Sequence, residues 1–135
     1  MYRVMRYKDL DPSDIDLEKW ESQLRKGSLS LAVLATLWDE ELYGLEILRR
    51  LDQMAGFSVA EGTIYPLLNR LKTATFIESE WVEADGGHPR KYFSLTASGR
   101  RYVIELFRMW NEFAGGMNRL LAPLEGHAHG KRRAS

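Results

Sequence analysis

The sequence predicts a mainly α chain with one small β-hairpin, an α+β class, and three observations carry that reading. Apolar residues recur at helical spacing in four successive segments ahead of residue 72. The period then changes to two short runs rich in β-branched and aromatic residues, at 76–83 and 90–95. One long helical pattern follows, from Thr96 to about Ala122.

Taken in order, Asp11-Pro12-Ser13-Asp14 is a helix-start signal with acids in the first turn, and Leu17, Trp20 and Leu24 recur behind it until Gly27. A second helix fits Ser28 to about Glu40, with Leu31, Leu34, Leu37 and Trp38 along one side. The acids Asp39, Glu40 and Glu41, with Gly44, mark a turn. Leu45, Leu48 and Leu51 define a short third helix that stops near Gly56. Ile64, Leu67, Leu68 and Leu71 define a fourth at i, i+3, i+4, i+7. Asp85-Gly86-Gly87 joins the two β runs as a hairpin turn. Thr96-Ala97-Ser98 offers an N-cap for the last helix, and Pro123 a natural stop. Three short helices joined by tight turns are the ingredients of a helix-turn-helix unit. With the hairpin as wing, the order is that of a winged-helix domain. The expected division is an N-terminal arm and helix over 1–26, the winged helix-turn-helix over 27–96, a C-terminal dimerisation helix over 97–123, and a disordered tail over 124–135, small, polar and basic.

Composition removes many alternatives. A chain of 135 residues fits one domain with short appendages and buries enough surface to fold without a staple. With no Cys it has no disulfide, no thiolate metal site and no thiol chemistry. No apolar run reaches the roughly 18 residues of a membrane span. Met1-Tyr2-Arg3-Val4-Met5-Arg6 lacks the apolar core of a secretory signal, so a cytoplasmic chain is expected. The three His are scattered, and no phosphate-cradling Gly loop or nucleophile–base pair stands out. Neither an enzyme, a metal site nor a cofactor is expected.

The 19 basic and 19 acidic residues cancel, which at first argues against a nucleic-acid partner. The zero is a sum of opposed patches, however. Glu78, Glu80, Glu83 and Asp85 come without a base, and Arg90, Lys91, Arg100 and Arg101 follow without an acid. Attraction to phosphate is local, so one basic edge suffices.

In the last helix Val103, Leu106, Trp110, Phe113, Met117 and Leu120 are spaced 3, 4, 3, 4, 3, a heptad seam interrupted by Gly115-Gly116. The seam packs either on the chain's own core or on a partner. Because three short helices already supply a core, a homodimer is expected, with Leu17, Trp20 and Leu24 as companions across the interface.

Residues at several of these places carry a family resemblance. Gly27-Ser28-Leu29-Ser30-Leu31, the turn Leu42-Tyr43-Gly44-Leu45-Glu46-Ile47 and the run Val59-Ala60-Glu61-Gly62-Thr63-Ile64-Tyr65-Pro66-Leu67-Leu68-Asn69-Arg70-Leu71 are three such places. Gly87-His88-Pro89-Arg90-Lys91-Tyr92-Phe93-Ser94-Leu95-Thr96, with Gly99-Arg100, is the fourth. Together they resemble the PadR family of bacterial transcriptional regulators, in its smaller subfamily with a single C-terminal helix. Two departures stand out: Ala60 where the family commonly has a capping Ser, and Thr75 where a Gly usually ends the recognition helix.

The resemblance implies a repressor that binds double-stranded promoter DNA as a homodimer on a palindromic operator. Thr63, Tyr65, Asn69 and Arg70 form the outward set of the fourth helix, of the donor and stacking types that meet phosphates and base edges. Gly62 leaves room for close backbone approach, and Pro66 sits early, where its missing N–H costs least. Tyr65 has a second reading as a half-buried packing residue. Arg90 and Lys91 project from the wing, and with Arg70 they are expected on one face while Glu78, Glu80 and Glu83 point away. Tyr43 has two candidate places, against phosphate or against Trp38. Trp110, Phe113 and Met117 are either plain dimer core or, by resemblance, a site for a small aromatic or hydrophobic effector. The alternative function is a winged-helix dimer for protein interaction or ligand sensing, with weak DNA binding or none.

Overall fold

The computed structural model describes residues 17–83 and 86–127. The helix-start signal at Asp11-Pro12-Ser13-Asp14 and the turn residue Asp85 lie outside them.

A single helix, α1 (Leu17–Thr36), stands where the sequence reading places two. Gly27 is exposed and costs only about 1 kcal/mol in a helix, which weakens but does not stop it. Ser28, read as the start of a new helix, turns its hydroxyl back along α1 to the carbonyls of Leu24 (3.3 Å) and Arg25 (3.2 Å). The helix ends at Thr36 rather than near Glu40. Helices α2 (Gly44–Ala55) and α3 (Glu61–Thr73) follow, and Gly56 closes α2 at φ +66°, the left-handed C-cap that favours glycine.

The hairpin is β2 (Ile77–Glu83) and β3 (Pro89–Leu95), with Gly86 and Gly87 at φ +91° and +80° in its turn. A strand the sequence reading lacks, β1 (Leu42–Tyr43), pairs with β3, so the sheet order is β1-β3-β2, antiparallel throughout. Two residues carry no readable period, which is why this strand passes for turn.

Helix α4 (Ala97–Leu121) opens on Thr96, whose hydroxyl accepts from the Gly99 N–H at 3.0 Å. The chain then tightens into a 3-10 turn over Ala122–Leu124, where Pro123 lies, and residues 125–127 are helical again. The disorder expected from residue 124 onward therefore does not hold for 124–127, and 128–135 lie outside the described residues.

The core is one cluster drawn from every element. Val33, Leu34 and Leu37 meet Ile47 and Leu51 of α2, Ile64, Leu67, Leu68 and Leu71 of α3, and Leu42, Ile77, Phe93 and Leu95 of the sheet. Val103 of α4 completes it. Each fully buried Leu or Ile contributes about 1.5–3 kcal/mol, so this face of α3 fixes which face is left outside. At its foot Thr75 has φ +67°, an unfavourable conformation for a β-branched residue, at the position where the family resemblance expects Gly. Its carbonyl accepts from the hydroxyls of Thr96 (2.6 Å) and Ser98 (2.9 Å), which tie the strained turn to the start of α4.

Candidate nucleic-acid interface

Burial of Ile64, Leu67, Leu68 and Leu71 turns Gly62, Thr63, Tyr65, Asn69 and Arg70 outward on α3, as their helical spacing requires. Ala60 occupies the N-cap without a side-chain bond, as its methyl dictates, and leaves N-terminal donors of α3 exposed to solvent. A Cβ at Gly62 would meet nothing within 4 Å, so the surface there is open. Pro66 is the sixth residue of α3, not part of the first turn. Having no N–H, it withholds the bond that the exposed Gly62 carbonyl would otherwise accept.

Tyr65 packs as its second reading has it, with part of it still open to solvent. It is 39% exposed, yet the edge of its ring lies on Gly44 at the start of α2. A Cβ at Gly44 would stand 2.8 Å from Tyr65 Cε1 and Cζ, so glycine is what lets the turn and α3 approach. The sequence marks Gly44 only as turn punctuation, because the contact is tertiary.

Tyr43, next to it, does not pack on Trp38. Its ring meets Tyr92 of β3 edge-on at 5.6 Å, through the cross-strand pair Tyr43↔Tyr92. The Arg90 guanidinium lies 4.6 Å from the ring centroid, and Arg49 Nη1 of α2 donates to the Tyr43 hydroxyl at 3.4 Å. The Tyr43 N–H donates to Glu46 Oε1 at 3.2 Å, half of a capping box. Trp38 is instead taken by Arg100, stacked 4.8 Å from its ring and donating to its carbonyl at 3.2 Å. Arg49 is the residue that sequence reasoning missed. One turn ahead of Gln53 on an exposed helix face, it gives no signal without β1 to place Tyr43.

The wing corrects a second expectation. Arg90 and Lys91 are neighbours on one strand, so they point to opposite faces of the sheet. Arg90 pairs with Val82, and Tyr92 with Glu80; this outer face carries Tyr43. Lys91 pairs with Trp81 on the face of Phe93, which looks into the core toward α3, and its Nζ lies 5.8 Å from the Trp81 ring. The acids are divided by the same alternation. Glu78 and Glu80 share the Arg90 face and Glu83 the Lys91 face, so they do not all turn away from the bases. Trp81, 67% exposed, is a further part of the wing's surface that the sequence reading lacks.

The model of the PadR-like transcriptional regulator family matches residues 33–105, more than half of the chain. The chain belongs to the PadR family. Membership places it among transcriptional regulators and not among enzymes. It is similar to the crystal structure of a PadR-like transcription factor from Bacteroides fragilis, at 39% identity over 76% of this chain and 98% of the other, with a TM-score of 0.63. A PadR-like regulator from Bacillus cereus is 33% identical over 73% of this chain and 96% of its own, with a TM-score of 0.68. A transcriptional regulator of Mycobacterium tuberculosis is 29% identical over 92 residues, covering 68% of this chain and 84% of that protein.

Besides Trp81 on the wing, this PadR chain exposes apolar stripes on α1 and α4. Leu17, Trp20 and Leu24 on α1 stand out with Trp110, Phe113, Met117 and Leu120 on α4. The seam is shorter than its spacing suggested. Val103, read as interface, is 5% exposed inside the chain's own core and has no surface to give, and Leu106 is partly buried against that core. Between the two helices runs a groove of about 590 Å³ lined by Leu24, Leu31, Tyr102, Leu106, Met109, Trp110 and Phe113. Met117, grouped with Trp110 and Phe113 as an effector site, is not among the lining residues; it lies beyond the groove along α4. Among the described residues no cluster of three His, Asp or Glu is placed to hold a metal, and no helix is long and apolar enough to cross a membrane.

Proposed function

We propose that this PadR chain is a cytoplasmic homodimeric repressor that binds a palindromic promoter operator through α3 and the wing. One observation carries the reading: α3 buries one face completely and exposes Thr63, Tyr65, Asn69 and Arg70 beside a wing bearing Arg90 and Lys91. Asn and Arg read base edges, and the wing bases meet backbone phosphate. Two such units, doubled by a dimer, read half-sites about one or more helical turns apart.

The dimer forms on the apolar stripes of Leu17, Trp20, Leu24, Trp110, Phe113, Met117 and Leu120, with Leu106 at the edge. The groove between α1 and α4 supports a small aromatic or hydrophobic effector held by Trp110 and Phe113. Such an effector releases DNA only if it binds the competent and incompetent dimers unequally.

Fluorescence anisotropy with a duplex from the chain's own upstream region tests this. Affinity is expected to fall steeply with salt, and Lys91→Ala and Tyr65→Ala to weaken binding. Full affinity in both variants would remove these residues from the interface. A second reading, ligand sensing with weak DNA affinity, is favoured by Glu80 and Glu83 on the two faces that carry Arg90 and Lys91. Binding of a hydrophobic dye in the groove without any duplex binding would favour it.

A further inference from the structure

Two arginines from different elements converge on one tyrosine. Arg49 comes from α2 and reaches the Tyr43 hydroxyl; Arg90 comes from the wing and lies on the Tyr43 ring. Among the described residues neither guanidinium has a carboxylate within ion-pair distance, whereas the neighbouring Arg50 is paired with Glu40. Glu46 is engaged with the Tyr43 N–H, and Glu80 lies across the strand from Tyr92. Like charges held near one another without a counter-ion repel, and an anion placed between them relieves that cost. Tyr43 is itself fixed from two further sides, by Tyr92 edge-on and by Gly44, which locks against Tyr65 of α3.

We infer that Tyr43 is a positioning residue that presents Arg49 and Arg90 as a joint clamp for the DNA phosphate backbone, and so sets the wing's register against α3. Tyr43 acts through the two arginines and does not itself touch phosphate. Its ring orients Arg90 and its hydroxyl orients Arg49, as cation–π and hydrogen-bond geometry allow. The inference rests on the proposed DNA-binding role of this face.

The test uses the full chain, a fluorescein-labelled duplex of mixed sequence and a potassium chloride series, because phosphate binding is independent of sequence. Arg49→Ala and Arg90→Ala are each expected to reduce the salt slope by about 0.9 for every phosphate that the arginine neutralises. Tyr43→Phe should match Arg49→Ala and cause no further weakening in an Arg49→Ala background. Tyr43→Ala should match the removal of both arginines and add nothing to the Arg49→Ala/Arg90→Ala pair. Circular dichroism checks that each variant is folded. NMR supplies a readout without DNA: the Arg90 side-chain protons should be ring-shifted, unchanged in Tyr43→Phe and returned to ordinary positions in Tyr43→Ala.

A further weakening from Tyr43→Phe in the Arg49→Ala background would put the hydroxyl on phosphate directly and overturn the inference. So would a wild-type salt slope in Tyr43→Ala, or unshifted Arg90 protons in the wild-type chain. In each of those cases duplex binding by the wild type leaves the proposed function standing. A wild type that binds no duplex at low salt overturns both.

Discussion

The region around the core and the two protruding helix segments handle apolar side chains in opposite ways. Between Val33 and Val103, apolar side chains from seven elements close on one another, and among the described residues polar side chains are left outside. In the first half of α1 and the second half of α4 they stand in solvent: Trp20 is 63% exposed and Leu120 75%. Helices of both regions show apolar periodicity, so periodicity alone does not separate the core from an exposed stripe. The difference lies in what each helix faces. The apolar face of α3 is covered by its neighbours and the sheet, while the apolar stripes on the first half of α1 and the second half of α4 are left in solvent. A helix that exposes an apolar stripe gains little from propensity alone and is stabilised by packing against something else.

Substitutions can break this comparison from either side. The largest effect is expected at Leu68, fully buried on α3: Leu68→Ala should cost about 4 kcal/mol in urea unfolding, independent of protein concentration. Leu120→Ala, the same change on the exposed stripe, should cost under about 0.5 kcal/mol in a dilute monomer. Gly99→Ala comes next. A Cβ there would stand 2.8 Å from the Phe76 carbonyl carbon, which is backbone and cannot swing aside, so a destabilisation of about 3 kcal/mol is expected by the same assay.

Phe113→Asp places a charge on the exposed stripe. It should leave the helical circular dichroism unchanged and shift sedimentation toward monomer at micromolar concentration. An unchanged dimer would mean that the stripe is not the interface. A modest gain, not a loss, is expected at Thr75. Glycine accepts φ +67° without strain, so Thr75→Gly should raise stability by about 1 kcal/mol, read as a rise of a few degrees in Tm.

Most of the fold was legible in the sequence because its elements are periodic and punctuated. The leucine spacing of α2 and α3, the double glycine of the hairpin and the Thr96 cap each specify local structure by themselves. Missed features depend on the third dimension. Gly27 reads as a helix stop, yet nothing replaces helical bonds there, and Ser28 bonds back along the same helix. Strand β1 exists only because β3 lies beside it. The outward set of α3 was legible because one buried face fixes the other. The wing was half legible: its bases could be found, but reading Arg90 and Lys91 as one patch ignores the strict alternation of a strand. Arg49 and Gly44 emerged only from the packing of Tyr43 and Tyr65.

Counting chains on DNA tests the central claim most directly. Sedimentation of a fluorescent duplex from the chain's own upstream region, titrated with protein at low and at moderate salt, reads stoichiometry and charge dependence together. The account predicts one discrete complex with two chains per operator that dissociates as salt is raised. A duplex that sediments unchanged at low salt, or one that carries a single chain, would contradict it.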